Sequence, residues 1–288
     1  MVPFPPGGSN DIIARALVGK LSEDLRHSVV VDNRGGANGI IGTDLTAKSP
    51  PDGHTFLIVG NGFAINPSMY RKLPYHPERD FAAVSLVGYG GFVLVVHPSL
   101  AARNVNDLIA LAKASPGKLT MASAGVGNMA HLSGELFMSL TGTRFVHVPY
   151  KGGGPAMTEL LGGQVALYFS TIIVALPHIR AGKLRALAVT TARPSVLAPG
   201  LPAMAETLPG YESAQTTGLF APARTPASII SRLNEECVKF LSRADIKEKL
   251  LGAGVESVGS SPREFDIVVK SEISRMGKVI KSAGIRED

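Results

Sequence analysis

Two apolar rhythms alternate along the chain. In one, apolar residues recur every three to four positions, the spacing of a single helix face. In the other, short runs rich in Val, Ile, Leu and Phe are bounded by Gly or Pro, as strands are. The helical rhythm predicts a first helix capped by Ser9 or Asn10, with Ile12, Ile13, Ala16, Leu17 and Leu21 on its apolar face. A second helix opens from the glycine-rich run 33–39 and ends near Ala47. Another spans 104–115, stopped by Pro116-Gly117, and a further one carries Met129, Leu132, Leu136 and Leu140 on one face. Shorter helices cover 155–161 and 176–181, and three more close the chain near 228–241, 245–253 and 262–283. Strands are predicted at 2–4, 28–32, 55–59, 84–87, 92–96, 119–123, 144–148, 165–169, 184–190 and 215–221. Strands alternating with helices predict parallel α/β sheets.

One unit of design recurs. A strand, a glycine turn and a helix follow one another at 2–17 and again at 119–136, which predicts two similar domains, each offering a helix N-terminus. Such a terminus exposes unpaired N–H groups at the positive end of the helix dipole. Glycine lets a ligand approach that backbone closely. Gly7, Gly8, Ser9 and Asn10 on one side, and Ser123, Gly125, Gly127 and Asn128 on the other, are therefore candidates to hold a carboxylate or phosphate.

The 288 residues are 45% hydrophobic and 18% charged, enough for buried cores in one large or two medium domains. A formal net charge of +6 would favour acidic partners. The densest basic stretch, 232–286, alternates with Glu and Asp at helical spacing and reads as a solvated face. With no Trp and no basic run interleaved with aromatics, nucleic acid is not an expected partner. No apolar run is long enough to cross a membrane. No secretory signal precedes Val2, which suggests either a removed leader or a misplaced start. Cys237, the single cysteine, sits in a helical pattern and reads as a small apolar core residue.

Catalytic patterns are thin. Gly125-Val126-Gly127-Asn128-Met129-Ala130 fits the dinucleotide fingerprint, and Lys151 would have to meet a 2′-phosphate, so the alternative function is an NADP-linked oxidoreductase. Ser123 suggests an ester hydrolase, but no nucleophile-elbow pattern surrounds it. His131 reads as a packed or capping histidine without a carboxylate to orient it. No histidine is read as paired with His, Cys, Asp or Glu at metal-ligand helical spacing. No cofactor, metal or catalytic residue is expected.

Several segments, taken in order, resemble one family. They are Val2-Pro3-Phe4-Pro5-Pro6-Gly7-Gly8-Ser9-Asn10-Asp11, Val31-Asp32-Asn33-Arg34, Pro51-Asp52-Gly53, and Leu73-Pro74-Tyr75 leading to Asp80-Phe81. Ser123-Ala124-Gly125 through His131, His147-Val148-Pro149-Tyr150-Lys151-Gly152, the run 181–189, 222–226 and Leu233-Asn234 complete the match. The chain resembles the solute-binding receptors of tripartite tricarboxylate transporters, also called Bug-type receptors. The resemblance implies a periplasmic, monomeric receptor that works with membrane transporter subunits. It implies two Rossmann-like lobes of periplasmic-binding-protein type joined by two crossing strands, here 1–96 plus 219–288 and 97–218. It also implies a small carboxylate held by Gly7, Gly8 and Ser9 and by Ser123, Ala124, Gly125, Gly127 and Asn128, with Asn61 to Ala64, Tyr150, Ser170 and Thr171 lining the cleft. Ser170 stands where many members carry an acidic residue, which argues against an amine-bearing ligand. Thr216-Thr217-Gly218 stands where many carry an aromatic.

Overall fold

The computed structural model describes residues 1–4, 6 and 9–285. Gly7 and Gly8, expected at the first anion site, lie outside the described residues. In chain order the fold begins with α1 (Ser9–Leu25), a 3-10 turn (Ala37–Gly39), α2 (Ile40–Ala47), β1 (Leu57–Val59), α3 (Gly62–Met69) and β2 (Phe81–Val96). It continues with α4 (Val105–Ala114), β3 (Thr120–Ser123), α5 (Met129–Thr141), β4 (Val146–Pro149), α6 (Gly153–Leu161), β5 (Leu167–Thr171) and α7 (Ile172–Arg180). The remainder is β6 (Arg185–Val189), α8 (Met204–Thr207), β7 (Ala214–Pro222), α9 (Ala227–Leu241), α10 (Ala244–Gly252), β8 (Glu256–Ser257) and α11 (Pro262–Ala283).

The described residues form two compact units: Met1–Tyr89 with Thr216–Lys278, and Gly90–Gln215 with Val279–Ile285. Strands β2 and β7 contribute residues to both. In the first unit β1 pairs antiparallel with β7, Leu57 opposite Phe220, and β8 pairs antiparallel with β2 at Gly88 and Tyr89. Ile13, Ala14, Leu17 and Leu21 of α1 pack with Val84, Val87, Leu219, Cys237 and Leu250. The buried face of α1 is thus rotated from the predicted one: Ile12 is exposed and Ala14 takes its place. Beside this core lies an aromatic cluster in which Phe63 stacks on Phe220 at 4.2 Å and meets Phe81 edge-on at 5.1 Å.

In the second unit β3 runs parallel to both β4 and β5, while β2 runs antiparallel to β5 and β6. The sheet is therefore mixed, where the alternating pattern predicted parallel pairing. Leu94, Val95 and Val96 of β2 are fully buried, as are Met121, Leu132 and Phe169. Burial of such side chains contributes roughly 1.5–3 kcal/mol each.

Two predicted strands, 84–87 and 92–96, are one strand. The glycines between them mark close approaches. A Cβ on Gly88 would stand 2.6 Å from Val255, and one on Gly91 2.7 Å from Thr191. Residues 28–32 do not form the predicted strand; Val2 bridges only to Asn33 nearby. Helix α3 was not anticipated, because Pro67 sits inside it.

Candidate functional site: a glycine turn backed by stacked imidazoles

The parallel strands β3, β4 and β5 end at Ser123, Pro149 and Thr171, on one edge of the second unit's sheet. Carboxyl ends of parallel strands are where α/β sheets present ligand loops. That edge carries Ser123, Ala124, Gly125, Gly127, Asn128, Tyr150, Ser170 and Thr171 together.

The segment 124–128 joins β3 to α5. Gly125 and Gly127 hold φ values of 138° and 73°, which disfavour any side chain. Asn128 is extended and caps α5, its side-chain oxygen accepting the His131 N–H at 3.0 Å. The turn is tied to the next strand by Tyr150 N–H to Ser123 O (3.0 Å) and Gly152 N–H to Ala124 O (3.2 Å).

An account of its amides alters the expected division of labour. Gly125 N–H donates to Ser123 Oγ at 3.2 Å, and Gly127 N–H donates to His131 Nδ1 at 3.1 Å. The two glycines shape the turn without leaving their own N–H groups open. Among the described residues, nothing accepts from the N–H groups of Val126, Met129 and Ala130, whereas Asn128 closes the hydrogen-bonded turn at 126–127. These three lie at the positive end of α5 and form the open donor set for an anion.

Behind the turn stands a polar array. Ser123 is fully buried; its Oγ lies 2.6 Å from His147 Nε2 and 3.0 Å from Gly125 O. The Ser123 hydroxyl is thus buried within its own turn. The His147 ring stacks on His131 with centroids 3.7 Å apart and planes 8° from parallel. His131 Nε2 in turn faces Glu135 Oε1 at 3.3 Å. Burial first, then the neighbouring His131, pushes the His147 imidazole down to about 4, with Glu135 acting in the opposite sense.

This corrects the sequence reading of His131, which does have a carboxylate partner. The signal was available, since His131 and Glu135 are four residues apart on one helix. The link from Ser123 to His147 was not, because it arises only from the pairing of β3 with β4.

Ser170 is buried and turns its hydroxyl onto Thr171 O at 3.2 Å, while Thr171 precedes α7. Tyr150 is half-buried, and its phenol is raised chiefly by desolvation and then by Glu159.

In the first unit, Ser9 opens α1. A buried Asp11 accepts Asn33 Nδ2 at 3.0 Å and Arg15 Nε at 2.9 Å, and Asn33 Nδ2 also reaches Phe4 O. Asn33 thereby anchors the chain ahead of α1 to its first turn. Asn10 Oδ1 accepts from Thr217 Oγ1 at 3.2 Å, and Asn61 Oδ1 accepts Thr216 N–H at 3.0 Å. Asn61 and Ala64 line a cavity of about 20 Å³ with Thr216, Phe265 and Glu272, room for about one water.

A family model described as a tripartite tricarboxylate transporter family receptor matches residues 13–285. The chain is 39% identical to Protein BugT of Bordetella pertussis, over 99% of this chain and 89% of BugT. Among solved structures, Rpa4515 of R. palustris with adipate is 38% identical, with a TM-score of 0.79, covering 98% of this chain and 96% of that one. MatC from Rhodopseudomonas palustris with bound malate is 28% identical, with a TM-score of 0.75, covering 97% of each chain.

Proposed function

The chain belongs to the tripartite tricarboxylate transporter receptor family, and from that premise we propose that it captures a small carboxylate, a di- or tricarboxylate or an aromatic or aliphatic acid, by venus-flytrap closure and presents it to membrane transporter subunits from the periplasm. The observation that carries this reading is the open donor set at the start of α5. A carboxylate placed there meets N–H groups of Val126, Met129 and Ala130 and the field of a 13-residue helix. The dipole contributes about 0.3–1 kcal/mol when exposed and up to about 2 when partly buried. Each hydrogen bond to the charged acceptor adds roughly 1.5–3 kcal/mol. Relatives bound to adipate and malate support an aliphatic dicarboxylate as the first ligand to try. The start of α1, with Gly7, Gly8, Ser9 and Asn10, is the proposed second grip, and Asn61, Ala64, Ser170 and Thr171 the proposed lining. No general base or nucleophile is needed.

A thermal-shift panel tests this. Ligand at about a hundred times its dissociation constant adds about 2.7 kcal/mol of stability. Adipate, malate or a related acid is expected to raise the melting temperature, and NADPH is not. Stabilisation by NADPH alone would reverse the assignment.

A further inference from the structure

The array behind the second glycine turn does more than fill space, because its proton positions are dictated by the backbone. Gly127 N–H is a fixed donor, so His131 Nδ1 must be a bare acceptor. The proton of neutral His131 is then on Nε2, facing Glu135 Oε1. Ser123 Oγ accepts Gly125 N–H and lies within hydrogen-bond reach of both Gly125 O and His147 Nε2, so it links that amide to the His147 ring. Each glycine of the turn is thus tied to one imidazole of a stacked pair, Gly127 directly and Gly125 through Ser123. The titratable groups acting on His147 are His131 and Glu135, both from α5, while β3 presents Ser123.

We propose that His131 and His147 are positioning residues for this turn: as neutral, stacked rings they hold it in its binding shape, and uptake of one proton by the pair releases the turn together with the bound carboxylate. The site of uptake follows from the neighbours. On neutral His131 the only vacant ring position is Nδ1. A hydrogen there confronts the Gly127 N–H, donor against donor, and the bond holding the glycine is lost. A second positive ring at 3.7 Å is excluded by repulsion, so one proton suffices. The inference rests on the carboxylate-receptor reading for its consequence, but not for its chemistry.

Two measurements test it on the full chain. The first needs no ligand. Long-range nitrogen–proton NMR is expected to show His131 as the Nε2–H tautomer at neutral pH, and the Gly127 amide signal to titrate with that ring. An Nδ1–H tautomer, or a Gly127 signal indifferent to His131, overturns the proposal whether or not any acid binds. The second follows adipate and malate affinity by calorimetry from pH 7.5 to 4. The wild type is expected to lose at least tenfold more affinity than His131→Asn, whose Oδ1 takes the place of Nδ1 and accepts from Gly127 at every pH. Protonation of the acid itself weakens both proteins alike and cancels in the comparison. Parallel profiles in wild type and variant, or tighter binding on acidification, would refute the switch. Failure of both acids to bind at pH 7.5 would count against the proposed function, leaving the NMR result to decide on the pair.

Discussion

Two helices of the second unit begin with the same device, and that offers an internal control for the binding site. Asn128 caps α5 by accepting His131 N–H at 3.0 Å, and Asn104 caps α4 by accepting Asp107 N–H at 2.9 Å. Replacing either with Ala removes one acceptor. At α4 the cap is exposed and water takes its place, so about 0.5–1 kcal/mol of stability is lost. At α5 the orphaned donor belongs to His131, which is 4% exposed, and the cost rises to roughly 1–3 kcal/mol. Affinity separates the two more sharply. Asn128→Ala loosens the residues that present the open amides. Losing one hydrogen bond to the ligand's charge is worth about 1.5–3 kcal/mol, roughly 10- to 100-fold in dissociation constant. Asn104→Ala is expected to leave affinity unchanged. Asn128→Asp keeps the cap but sets a second negative charge beside the ligand, so near-normal stability with lost binding is expected. Urea unfolding and calorimetry with adipate or malate read both quantities. Wild-type affinity in Asn128→Ala, or an equal loss in Asn104→Ala, would show that the start of α5 is not the grip.

Three further outcomes are expected. Gly218→Ala drives a methyl group into the Phe265 ring and should cost about 1–3 kcal/mol by overpacking, read as a lower melting temperature. A wild-type value would mean that the ring moves aside freely. Cys237 is fully buried and its thiol is pushed up to about 12 by desolvation, so iodoacetamide at pH 8 should label it only once urea unfolds the chain. Rapid labelling of the native protein would contradict that burial. Folded His147 resists protonation down to about pH 4, whereas the unfolded chain takes up that proton below its ordinary 6.5. Stability from this residue is therefore full above about pH 6.5 and declines as pH falls toward 4. Urea midpoints at pH 7.5, 5.5 and 4.5 should fall less steeply in His147→Gln than in wild type.

What the sequence revealed depended on whether the controlling contacts were local. Helix α11 was bounded correctly because Pro262 starts it and its amphipathic spacing runs unbroken to Ala283. The glycine turn before α5 was legible for the same reason, its cap and its apolar face lying within a few residues. Strand β2 was broken in two because Gly88 and Gly91 carry no mark distinguishing a turn from a tight packing point. Only Val255 and Thr191, far along the chain, decide it. At the candidate site the sequence did not show which amides are spent internally. Ser123 and His131, set aside as poor catalysts, turned out to claim the N–H groups of Gly125 and Gly127. That competition depends on side-chain direction, which spacing does not encode.

A single sulfhydryl sealed in a hydrophobic interior has a practical consequence. Any cysteine introduced at the surface becomes the one nucleophile a maleimide dye can find, with no background to remove. Val126, 53% exposed and set among the open amides, is a natural attachment point. A fluorophore there would sense arrival of the proposed organic anion through its change in polarity, turning the protein into an optical sensor for that ligand.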